Sequence, residues 1–175
     1  MSHRTTARRV AAVAALAAAL GLTPAAAASA DPAGTGNSAD VNTLAASISN
    51  GYTLNNCTAQ NITTGELASL TCGQSPDPNG PVQAKYILFD SGEHLAGSFK
   101  NSIKDDVLTG CGDIAQSPTT WHQGSPGGNS GQVACGTYQN AAEIIWTTDS
   151  KNILSYIRGS NTDASALYQW WRTNG

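Results

Sequence analysis

The sequence predicts an α+β domain: an antiparallel sheet of about four strands, in two hairpin-like pairs, with helices packed on one face and two disulfides. Three observations carry this. Residues 131–147, GQVACGTYQNAAEIIWT, read as a hairpin with Val133, Cys135 and Thr137 on one face of the first arm and Ile144 and Trp146 on one face of the second, turning at Gln139-Asn140. Two earlier runs alternate in the same way, one through Ala68, Leu70 and Cys72, the other through Val82, Ala84, Tyr86 and Leu88. Stretches of helical spacing lie before, between and after these pairs, and strands grouped in pairs between helices point to an antiparallel sheet with a helical layer.

The fold is expected to begin well inside the chain of 175 residues. Arg4, Arg8 and Arg9 precede an apolar run over residues 10–22, and Ala28-Ser29-Ala30 forms an A-x-A site before Asp31, the order of a secretory signal peptide over residues 1–30. The apolar run is too short for a membrane helix, which needs ~20 residues, so no membrane anchor is expected after processing. The small and turn-forming residues 31–37 suit a flexible mature N-terminus, and residues 38–175 a single secreted domain. Beyond residue 30 stand six basic and twelve acidic side chains, a balance that disfavours nucleic acid as a partner.

In chain order, Val41, Leu44, Ala45 and Ile48 mark a short amphipathic helix that Ser38 can cap. Residues 52–65, rich in Asn and Thr, read as an irregular connection. The alternating run to Cys72 and the run to Phe89 follow, separated by the breaker cluster 76–81. Asp90 and Glu93 resemble a capping box ahead of Leu95, Phe99 and Ile103, predicting a helix of about three turns to Lys104. Residues 110–131 show no periodicity and read as a long loop. After the hairpin, Ile153, Leu154 and Ile157 predict a helix closed by Gly159, and Asp163 caps a last helix bearing Leu167, Trp170 and Trp171, of which one tryptophan should plug the core and the other lie half exposed.

All four cysteines, Cys57, Cys72, Cys111 and Cys135, follow the export signal, an even number that predicts two disulfides. Zinc is the rival, but no pair has C-x-x-C spacing. Of the three possible connectivities, Cys57 with Cys72 and Cys111 with Cys135 is expected, because a turn at Gly65 lays the first pair side by side and the second pair closes the long loop.

Several motifs invite a chemical reading. Gly128-Asn129-Ser130-Gly131 resembles a serine-protease nucleophile motif, yet the nearest upstream histidine is His122 and the chain is too short for the two barrels such a site needs. Asp105 and Asp106 are adjacent, and consecutive helical residues do not share a face, so they are expected to end a helix in solvent. No phosphate-binding glycine loop occurs, and no cofactor or metal is expected. Trp121 and His122 are the best candidates for a ligand contact, although a tryptophan in a long loop also serves as a cover over the core.

Trp121, Gly131-Gln132-Val133-Ala134-Cys135, Ile144-Ile145-Trp146-Thr147, and Leu167 with Trp170-Trp171 together resemble the extracellular sensor-like domains of actinobacterial (mycobacterial) serine/threonine protein kinases and of related free secreted or lipid-anchored proteins. The resemblance spans residues 52–171. It implies ligand or signal recognition outside the membrane by a disulfide-bonded α+β domain, here as a free secreted protein. It implies no phosphorylation, since no kinase domain is present, and supplies no catalytic residues. The expectation is therefore a non-enzymatic binding module for a small molecule or cell-envelope component, with a small secreted hydrolase of cell-wall or peptide substrates, or a protein-interaction module, as the alternatives.

Overall fold

The chain threads α1 (Ser38–Ala45), β1 (Cys57–Ala59), β2 (Glu66–Cys72), β3 (Gln83–Phe89), α2 (Gly92–Ser102), β4 (Val107–Thr109), β5 (Thr119–Trp121), β6 (Gly131–Tyr138), β7 (Ala141–Thr148), β8 (Ile153–Arg158) and α3 (Ala164–Asn174). This computed structural model describes residues 34–123 and 130–175, so the expected signal peptide, and Gly128 and Asn129, lie outside the described residues. All the strands join one antiparallel sheet in the order β1-β2-β3-β8-β7-β6-β4, with β5 also paired to β6.

The sheet thus has eight strands rather than about four. Part of the difference is β8, which the spacing of Ile153, Leu154 and Ile157 suggested was a helix. As a strand it turns Ile153, Ser155 and Ile157 to one face and Leu154, Tyr156 and Arg158 to the other. It lies between β3 and β7, covered on both sides, so both faces carry apolar residues and the period of two is blurred. The rest comes from β1, β4 and β5, three-residue strands in stretches whose sequence is irregular. Their pairing is imposed by the neighbour rather than by their own pattern.

The central hairpin turns where its sequence requires. Gln139 and Asn140 both adopt positive φ, 46° and 59°, and Tyr138 pairs directly with Ala141, as a two-residue turn between twisted strands demands. At its base Gly131 is held against β7: a Cβ there would lie 2.0 Å from the Thr147 carbonyl oxygen. Only glycine allows the two backbones so close.

Helices cover both faces of the sheet, a second departure from the expected single helical layer. One face carries Leu70, Tyr86, Ile144, Trp146 and Ile157 beneath Leu44 of α1 and Leu167, Trp170 and Trp171 of α3. Both tryptophans of the Trp170-Trp171 pair are buried, contrary to the half-exposed expectation for one of them. Trp170 is covered by the breaker loop, where its indole N–H donates to Asp77 Oδ2 at 2.9 Å. The opposite face packs Ile87, Phe89, Ala134, Ile145 and Leu154 under Leu95 and Phe99 of α2. A buried Phe or Leu contributes about 2 kcal/mol, so this smaller cluster suffices to seat α2, whose N-terminus is capped by Ser91 accepting the His94 N–H.

The disulfides link Cys57 to Cys72 and Cys111 to Cys135, the sequential connectivity. The first joins directly opposed residues of β1 and β2, and the second ties the segment after β4 to β6. Each therefore fastens an edge of the sheet.

Candidate functional site

Since α2 stops at Ser102, it shields only part of its face of the sheet, and the remainder opens as a pocket of about 350 Å³. Two cross-strand rows supply its polar groups. Lys85 of β3 pairs with Tyr156 of β8, which pairs with Ile145 of β7; in the next row Arg158 of β8 pairs with Glu143 of β7. Ile87, Ile145 and Leu154 contribute the apolar lining. Asp105 and Asp106 lie past the end of α2, in the turn leading to β4, and line the same pocket. The helical argument that separates adjacent residues does not apply to them there.

Glu143 is the anomaly around which this pocket is built, a carboxylate only 2% exposed in the middle of an apolar strand. It is satisfied on the spot: the Tyr156 hydroxyl donates to Oε1 at 2.6 Å, and the Arg158 guanidinium donates to the same oxygen. Burial pushes the Glu143 carboxyl up, while the Tyr156 and Arg158 contacts pull it down. Arg158 also donates to the carbonyl oxygens of Tyr138 at 3.1 Å and Gln139 at 3.4 Å, so the same side chain anchors the hairpin turn. Burial first, then the Glu143 and Asp105 charges, raise the Asp106 carboxyl to about 6. Asp106 therefore changes charge close to neutral pH, in a pocket that also holds two cations.

Sequence reasoning did not assemble this group. Tyr156 and Arg158 were hidden by the reading of β8 as a helix, and the signal that could have found the site was Glu143 itself, a charge interrupting Ala-Ala-Glu-Ile-Ile-Trp. The candidates singled out from sequence lie elsewhere. Trp121 is half buried, its indole N–H donating to the Thr147 carbonyl at 2.8 Å and its ring meeting Trp171 edge-on at 5.6 Å. It packs against the α1/α3 core as a cover and also lines a second pocket, while His122 beside it is exposed. Ser130 has a structural part: its Oγ accepts the Gln123 N–H at 2.9 Å, its N–H donates to the Trp121 carbonyl, and its carbonyl accepts from Asp149. These bonds close the neck of the loop.

A third cavity, about 460 Å³, lies beside α2 among Leu95, Phe99, Ile103 and Pro118. Among the described residues no group of three or more His, Cys, Asp and Glu gathers to hold a metal, and no helix is long and apolar enough to cross a membrane. No family model, no curated protein and no solved structure matches this chain.

Proposed function

We propose that the chain is an exported, non-enzymatic binding module whose ligand sits in the Glu143 pocket. The observation that carries this reading is the convergence of Lys85, Asp106, Tyr156 and the Glu143–Arg158 pair on one concavity with an apolar lining, the mixture that orients a small molecule. Two disulfides fit an oxidising compartment, and the export signal expected over residues 1–30 supplies the route. The resemblance to extracellular sensor-like domains agrees with recognition as the task. Native mass spectrometry of the protein purified from the culture medium of its own organism tests this. A retained compound at one per chain, lost in Lys85→Ala and Asp106→Asn, is the expected result; no retained compound, or one held equally by both variants, contradicts it.

One observation favours a second reading, a small hydrolase. A carboxyl titrating near pH 6 is tuned for general acid work, and Asp106 has that property with Glu143 in the same pocket. Recovery of the compound in cleaved form from wild type and intact from Asp106→Asn would favour the enzyme over the binder.

A further inference from the structure

We infer that the compound held in the Glu143 pocket is a zwitterion with its two charges at opposite ends of an apolar body, an ω-amino acid or a molecule of that form. The inference rests on the reading of this pocket as the binding site and adds the class of ligand. It comes from subtracting the bonds that the lining residues already make to one another. Both terminal nitrogens of Arg158 are occupied, one by Glu143 Oε1 and the other by the Tyr138 and Gln139 carbonyls. The Tyr156 hydroxyl donates to the same Glu143 oxygen at 2.6 Å, and the Ser102 hydroxyl to the Ser98 carbonyl at 2.9 Å. Asp105 is largely exposed, with Lys104 at 4.0 Å. What remains for a ligand is a pair of acids at one end and an ammonium at the other.

The acidic end is Glu143 Oε2 with Asp106. The donors that reach Glu143 converge on Oε1, and among the described residues none reaches Oε2 or the Asp106 carboxylate. The side-chain atoms there that are both unpartnered and sealed from solvent are Ser49 Oγ, Asn56 Nδ2 and Trp171 Nε1; Glu143 Oε2 is unpartnered but not sealed, and it opens onto the pocket its residue lines. A carboxylate only 2% exposed thus turns one bare oxygen to the cavity. After burial, the Glu143 charge is the largest influence raising the Asp106 carboxyl, ahead of the chain neighbour Asp105, so the two acids face the same space. A ligand ammonium brings three donors and a positive charge to both of them, whereas a neutral or anionic group would leave their repulsion in place.

The other end is Lys85. It is exposed, makes no ion pair among the described residues, and is not among the charges that move the Glu143 or Asp106 carboxyl. The sheet register gives the reason: Lys85 stands on β3 and Glu143 on β7, with β8 between them, so their backbones lie two strand spacings apart, about 10 Å. Ile87, Ile145 and Leu154 form the apolar lining of this same pocket. An α-amino acid carries both charges on one carbon and so matches one end or the other. A chain of several methylenes reaches both and lays its apolar body on these side chains.

The test is a titration of the intact, disulfide-bonded protein at pH 7 with 6-aminohexanoate, hexylamine, hexanoate, hexanol and leucine, followed by NMR of the Ile145 methyl groups and the Tyr156 ring. 6-Aminohexanoate is expected to bind tightest, by about tenfold over each of the others, the equivalent of one charged hydrogen bond. Asp106→Asn should weaken 6-aminohexanoate and hexylamine by about tenfold without weakening hexanoate, and Lys85→Ala should weaken 6-aminohexanoate and hexanoate without weakening hexylamine. That crossed pattern separates a lost contact from a lost fold, which would weaken every probe alike. The inference is overturned, with the pocket still the binding site, if hexanol or leucine binds as tightly as 6-aminohexanoate, or if the compound retained from the culture medium shifts Ile145 and Tyr156 and none of the five probes does. If neither the probes nor that compound shifts these residues, the reading of the pocket falls and the inference with it.

Discussion

Replacing Arg158 with methionine should be among the most damaging single changes at the Glu143 pocket, because it deprives a buried carboxylate of its counter-charge. Glu143 is 2% exposed, and after the change only the Tyr156 hydroxyl, 2.6 Å away, would still pair with the oxygen Arg158 contacts. Breaking a buried ion pair from one side costs about 3–5 kcal/mol. The lower end applies here, about 3 kcal/mol, since the Tyr156 bond survives and the Arg158 side chain is itself 21% exposed. At 2–4 °C per kcal/mol for a domain of this size, Tm should fall by about 10 °C at pH 7. The sign of the pH dependence is fixed by burial. Without Arg158 the folded-state pKa of Glu143 rises further above its unfolded value, so the deficit is full above that folded pKa and shrinks as acid protonates Glu143. The double variant Glu143→Gln/Arg158→Met, which removes both charges, should recover much of the loss. Urea unfolding at pH 7 and pH 4 measures all three proteins. A deficit below about 1 kcal/mol at pH 7, or one as large at pH 4, would refute the reasoning.

Other expectations follow from single contacts. Asp106 titrates at about 6 in the folded protein, above its unfolded value, so its charge destabilises the fold above that pH; after allowance for its partial exposure, Asp106→Asn should stabilise by about 1 kcal/mol at pH 7 and by nothing near pH 3, read by thermal melts across that range. His94 is raised and Asp90 lowered by their mutual contact at 2.5 Å, so that pair's contribution is present at mildly acidic pH, is lost as His94 deprotonates above its raised pKa, and is lost again as Asp90 protonates in strong acid; ¹⁵N NMR titration of the imidazole should show the raised value, and Asp90→Asn should abolish it. Gly131→Ala should lose several kcal/mol or fail to fold, since its Cβ would collide with the Thr147 carbonyl, whereas Ser130→Ala should cost only about 1 kcal/mol and remove no hydrolytic activity. Reduction of the Cys111–Cys135 bond, which spans 24 residues, should cost about 3 kcal/mol on the chain-entropy account and loosen the region around Trp121 before α2 or α3 melts, as hydrogen exchange would show.

What was legible in the sequence is local. The β6–β7 hairpin and its Gln139-Asn140 turn could be read because alternation and turn chemistry agree over neighbouring residues, and α3 because its Asp163 cap and its spacing coincide, whereas α2 was legible from its spacing alone, its N-cap being Ser91 rather than the expected Asp90. The disulfide pairing could be expected because a turn at Gly65 brings Cys57 back beside Cys72 and a bond from Cys111 to Cys135 closes the long loop between them. What was illegible depends on long-range company. Strand β8 has residues apolar to both faces because it is central, and that erases the alternation that would have identified it. Strands β1, β4 and β5 are too short to carry a pattern. The split of helices between the two faces is set by topology, since nothing in α2 itself says which side of the sheet it will cover. The Glu143 pocket was lost through β8, because Tyr156 and Arg158 meet Glu143 only when residues 153–158 pair with β7 in register. Asp106 was set aside by a rule for helices that ends, with α2, at Ser102.

The most direct test of the account is the ionisation of Asp106 in the protein with and without the compound released from it. The carboxyl carbon, followed by ¹³C NMR as pH is varied, should titrate near 6 in the empty protein and move by at least one pH unit when the compound is added back, together with shifts at Lys85, Tyr156 and Ile145. An Asp106 that titrates identically in both samples, with the shifts confined to other surfaces, would contradict the assignment of this pocket as the binding site.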